Sequence, residues 1–88
     1  MKQEIVFPLL QAHLPPASIA YCISLWEQHP FQLKVTKPRQ TKAGDFTSRR
    51  SSGYPRITLN NDLNPFLFLI TYIHEVAHFH TLLQFGAR

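Results

Sequence analysis

The segment from Asn64 to Gly86 is the feature that most constrains the fold. "NPFLFLITYIHEVAHFHTLLQFG" places an Asn where an N-cap belongs, a Pro at the first helical position and a Gly where a C-terminal cap belongs. These signals predict a helix from Pro65 to about Phe85. At about 100° per residue, Leu67, Ile70, Thr71, His74, His78 and Phe85 fall in one narrow stripe. Phe68, Tyr72, Val76, Phe79 and Leu83 fall on the opposite side, with Leu69 beside them. A helix so apolar on nearly every face is expected at the buried centre of a larger fold, its histidine stripe facing something other than the main core. The apolar run Pro65 to Ile73 is far shorter than the roughly 18 residues of a membrane span, and "HEVAH" follows it directly. No membrane partner is expected.

The rest of the chain is read around that helix. Ile5, Val6, Leu9 and Leu10 have helical spacing between Met1 and about His13, although Pro8 makes a regular helix interior awkward. "LPPASIAYCISLWEQHP" predicts a second helix: Pro15 and Pro16 suit its start, Ile19, Cys22, Ile23 and Trp26 form an apolar stripe, and Pro30 stops it. "FQLKVTK" alternates, with Phe31, Leu33 and Val35 on one face, and predicts a half-buried strand. "PRQTKAGDF", with Pro38 and Gly44 as turn residues, can tip a hairpin whose return strand runs through Phe46 to about Arg50. "SSG" at 51–53 reads as a turn. "YPRITLN" predicts a third strand with Tyr54, Ile57 and Leu59 inward, and Pro55 suggests that its start is at a sheet edge.

Eighty-eight residues allow one small domain, and a composition 44% hydrophobic and 12% aromatic argues for a packed core. The single cysteine, Cys22, excludes an internal disulfide framework and reads as a buried core thiol. "MKQEIVFPLL" lacks the apolar run and cleavage site of a signal peptide, so a cytoplasmic address is the default. The formal net charge of +4 is uneven. Lys34, Lys37, Arg39, Lys42, Arg49, Arg50 and Arg56 form a basic band opposed only by Asp45. Such a band attracts phosphates or simply solvates a loop surface; Lys37, Arg39 and Lys42 are the candidate nucleic-acid contacts.

His74-Glu75-Val-Ala-His78 carries the chemistry. Two histidines four apart project from one helix face and can pinch one zinc ion, which takes imidazole nitrogens at about 2.0–2.1 Å. Glu75 sits about 100° further round, where it can take a proton from water on the metal as that water attacks a carbonyl. Zinc lowers the water's pKa towards about 7 and polarises the carbonyl. A catalytic zinc needs a third protein ligand. His80 lies about 120° from the metal stripe, His13 and His29 belong to the first helices, and Asp62 is too near the helix start. None is a convincing third arm.

The order of parts resembles the SprT-like (Spartan-related) family of zinc metallopeptidase domains, within the zincin group. The residues that carry the resemblance are "VTKPRQTKAGDF", "ITLNNDL" and "IHEVAHFH", and it covers about Pro15 to Gly86. It implies an α+β, zincin-like fold: N-terminal helices, a small antiparallel sheet of about three strands, and a long C-terminal active-site helix. It implies His74 and His78 as zinc ligands, Glu75 as general base, and a protein or peptide substrate. Eukaryotic members degrade proteins crosslinked to DNA, so DNA is a second partner implied. The family's third ligand is a histidine further along than this chain runs. The chain, residues 1–88, is therefore expected to be the N-terminal two-thirds or less of such a domain. It is expected to be inactive for lack of a third ligand, and prone to homo-oligomerise through its apolar helix. The competing reading is a non-catalytic module that binds nucleic acid or protein and keeps the HExxH helix for packing.

Overall fold

The computed structural model describes residues 3–48 and 54–86. In chain order these form α1 (Gln3–His13), a 3-10 turn (Pro16–Ser18), α2 (Ile19–Gln28), β1 (Gln32–Thr36), β2 (Gly44–Thr47), β3 (Arg56–Asn60) and α3 (Pro65–Phe85). The class is α+β with a small sheet and a long C-terminal helix.

The N-terminal helices form because their apolar side chains recur at one-turn spacing. Val6 and Leu10 are fully buried on α1, and Cys22 and Trp26 are buried on α2. Pro8 stays inside α1 on its exposed side. It forfeits one backbone donor, whose partner would have been the carbonyl of Glu4 in the exposed first turn. Phe7 meets the Trp26 ring edge-on at 5.8 Å. The Trp26 Nε1–H donates to the Phe31 carbonyl at 2.8 Å, which ties the end of α2 to the start of β1.

The sheet differs from the antiparallel hairpin that the sequence suggests. Its order is β1-β3-β2. β1 runs parallel to β3, with Leu33 opposite Ile57 and Val35 opposite Leu59. β2 runs antiparallel to β3, with Phe46 opposite Ile57. The sheet is therefore mixed, and β1 and β2 never pair. The reason lies in the connection at 37–43, which crosses the C-terminal end of β3 instead of turning back. Asn60 holds it there. The Asn60 side-chain amide donates to the Lys42 carbonyl at 2.8 Å, its backbone N–H donates to the Ala43 carbonyl at 2.9 Å, and its Oδ1 accepts from Arg39 Nε at 2.8 Å. Asn61 N–H adds a bond to the Thr36 carbonyl.

β3 is thus the central strand, and Pro55 does not mark an edge. Pro55 stands one residue before the ladder, where no donor is needed, and its carbonyl accepts from Gln32 N–H at 3.0 Å. Ile57 and Leu59 are buried as expected, but Tyr54 is exposed. The expected turn at 51–53 and the end of the return strand at 49–50 lie outside the described residues.

α3 begins as its sequence suggests: the Asn64 side chain accepts from Leu67 N–H at 3.0 Å, and Pro65 follows. It ends at Gly86, whose φ of 84° is open to glycine and whose N–H donates to the Leu82 carbonyl. Phe68, Tyr72, Val76 and Phe79 pack into the core, with Phe79 against the rings of Phe31 and Phe46. The Tyr72 hydroxyl donates to the Cys22 carbonyl at 2.9 Å, and burial pushes its ionisation far above the ordinary phenol range. Burial likewise lifts the Cys22 thiol to about 11, against a smaller lowering by Ser18. Only one face of α3 is covered, however. Phe66, Leu67, Ile70, Leu83 and Phe85 are exposed. The helix covers one side of the sheet and is not surrounded by it. By length and composition α3 is apolar enough to cross a membrane, but its Phe68–Phe79 face is the core of this fold.

Candidate metal centre

The same helical repeat that buries Phe68, Tyr72 and Phe79 turns His74 and His78 outward. Both are exposed, and their Nε2 atoms lie 3.1 Å apart. The rings meet edge to face, centroids 4.6 Å apart and planes at 89°. Two zinc–nitrogen bonds of about 2.05 Å at a tetrahedral angle of about 109° would hold their nitrogens ~3.3 Å apart. The spacing of the pair is therefore within a few tenths of an ångström of what one zinc ion requires, and in the absence of an ion the same 3.1 Å contact is a hydrogen bond between the two rings.

Glu75 follows His74 and turns towards the sheet. It is 8% exposed, and among the described residues it is buried along with the polar side chains of Thr58 and Asn60. Glu75 and His78 line one cleft of about 430 Å³ with Gly44, Asp45, Phe46, Ser48 and Leu82. The wall opposite α3 is β2, which among the described residues pairs with β3 on one side only and so forms the edge of the sheet on its other side.

Gly44 brings β2 this close. A Cβ at Gly44 would stand 2.7 Å from Leu59 Cδ2, 2.7 Å from Thr71 Cγ2 and 3.1 Å from the Thr58 carbonyl oxygen. Glycine is required here by space between strand and helix. Read as a turn residue, Gly44 in fact opens a strand.

The basic candidates are divided. Lys37 is exposed. Arg39 is spent on structure: besides its bond to Asn60, its Nη1 lies 3.5 Å from Asp45 Oδ1. Lys42 Nζ lies 3.0 Å from Asp45 Oδ2. Burial raises the Asp45 carboxyl, but Lys42 and then Arg39 outweigh it and leave it below its ordinary value. The sequence alone leaves Asp45 as the lone acid of a basic band. In the fold it is the anchor of two of those cations.

Among the described residues no group of three His, Cys, Asp or Glu is placed to hold a metal ion. His80 packs instead against His29, ring centroids 5.3 Å apart, and its ionisation is lowered by burial and by that neighbour. His13 stacks on Phe68 at 4.8 Å. The His29–His80 contact joins residues 51 positions apart by numbering and leaves no local signal in the sequence.

No family model, curated protein or solved structure matches the chain.

Proposed function

We propose that this chain carries the helix half of a zinc metallopeptidase centre of the SprT-like, zincin type. His74 and His78 would be two ligands and Glu75 the general base. The observation that carries the reading is the Nε2–Nε2 separation of 3.1 Å, on the helix turn that also puts Glu75 and His78 in one cleft.

Zinc, when bound, supplies Lewis acidity towards water and towards a carbonyl oxygen. The chain's own residues do the rest. His74 and His78 present their ring nitrogens to one point. Glu75, walled by Phe46 and Leu82, offers a carboxylate to accept a proton from an attacking water and return it to the leaving amine. The sheet edge at β2 offers backbone donors and acceptors to an extended peptide, which supports a polypeptide substrate over a small molecule.

Two histidines leave the ion short of the three protein ligands of a catalytic site. Peptide hydrolysis is therefore expected of a longer chain that adds a third histidine, and not of these 88 residues alone. The test measures cleavage of an unfolded protein by both lengths, with zinc content determined in parallel. Zinc-dependent cleavage by the longer form, abolished by Glu75→Gln with zinc retained, is the expected result. Cleavage that survives Glu75→Gln would reject Glu75 as the base.

A further inference from the structure

We propose that His74 and His78 from two copies of this chain meet on one zinc ion, so that the metal joins two α3 helices into a dimer. The inference rests on the reading of the two histidines as a metal pair. Each chain brings two nitrogens, and a closed zinc site takes four ligands. Both rings are exposed, and no third side chain among the described residues joins them. The remaining positions of the ion therefore meet no further ligand from the same molecule among the described residues. A two-fold axis through the ion fills them, because the same patch on a second copy carries the same two histidines.

The surface beside the pair suits a second α3. Phe66, Leu67, Ile70 and Phe85 are 70%, 49%, 63% and 67% exposed. At about 100° per residue Leu67, Ile70 and Phe85 lie on the same side of the helix as His74 and His78. That side carries no Lys, Arg, Asp or Glu: the only charged side chain in α3 is Glu75, and it is buried. The α3 faces of two chains, each of formal net charge +4, can meet here without bringing like charges of the two helices together; besides Glu75, the charged group that shares a cleft with His78 is Asp45, which is paired with Lys42 and Arg39. Apolar contact favours association but sets no register. Four nitrogens on one ion do set it. Such a site keeps no position open for substrate, so the joined form stores the ion and does not hydrolyse peptides.

The experiment is size-exclusion chromatography with light scattering on the 88-residue chain, zinc being the only added ligand, followed by metal analysis of the peak. Zinc is expected to raise the mass from 10.2 kDa to about twice that, with about one zinc per two chains, and EDTA to reverse the change. His74→Ala is expected to abolish the shift. Ile70→Lys alters an exposed position, leaves the core intact, adds no zinc-ligating carboxylate and places like charges across the axis. It is expected to weaken the dimer by about tenfold or more while zinc still binds. A zinc-loaded monomer with one ion per chain overturns the dimer and leaves the metal pair standing. No bound zinc removes both. A dimer indifferent to EDTA overturns the metal's part and assigns association to the apolar face alone.

Discussion

Replacing Gly44 by Ala tests how β2 is held over α3. The added Cβ falls 2.7 Å from Leu59 Cδ2 and from Thr71 Cγ2, and 3.1 Å from the Thr58 carbonyl oxygen. Carbon atoms pack best at about 3.5–4.0 Å, so both methyls overlap the new atom by about an ångström. Leu59 is fully buried and cannot swing into solvent. Thr71 is β-branched on a helix, where its χ1 is restricted. The Thr58 oxygen belongs to the central strand and is fixed by the ladder. Relief must come from β2 moving away, at a cost typical of overpacking, about 1–3 kcal/mol. Urea unfolding at equilibrium measures it. Thr71→Ser removes the Cγ2 methyl, so Gly44→Ala should cost less in that background, with a coupling of about 0.5 kcal/mol or more. A single substitution that is neutral within about 0.5 kcal/mol, or a cycle with no coupling, would falsify the close approach of β2 to the helix.

Other expectations follow from single contacts. Asn64→Ala removes the acceptor for Leu67 N–H and should lower stability by about 1 kcal/mol, read from the urea midpoint. Asp45 titrates below its ordinary value of 3.8 in the folded chain, so its contribution is full above that value and is lost as pH falls through the folded one. Wild type should therefore exceed Asp45→Asn in stability at about pH 6 and converge with it towards about pH 2; a gap that persists in acid would remove the ion pairs from the account.

The helices were legible because their signals are local. Asn64, Pro65 and Gly86 delimit α3 within the sequence itself, and the spacing of Phe68, Tyr72, Val76 and Phe79 marks its inner face. The outward direction of His74 and His78 follows from the same period. The strands were legible one by one, through the alternation of Phe31, Leu33 and Val35 or of Ile57 and Leu59, but their order was not. Alternation states which side chains face the core and says nothing about which strand lies alongside. That choice rests on Asn60, whose bonds reach back to Arg39, Lys42 and Ala43, and on the space that Gly44 leaves. Leu83 shows the limit of periodicity in the other direction. It lies on the core-facing arc yet is 49% exposed, because it borders an open cleft with His29, Pro30 and Pro55.

The central claim is that His74 and His78 together hold zinc and that Glu75 beside them does not. Isothermal titration of zinc into wild type, His74→Ala, His78→Ala and Glu75→Gln measures it most directly. Both histidines are exposed, so neither alanine variant disturbs the core. Each alanine is expected to abolish the binding heat, because one imidazole cannot chelate, while Glu75→Gln leaves the affinity within about threefold of wild type. Unchanged binding in either alanine variant would contradict the claim and place the metal, if any, elsewhere on the chain.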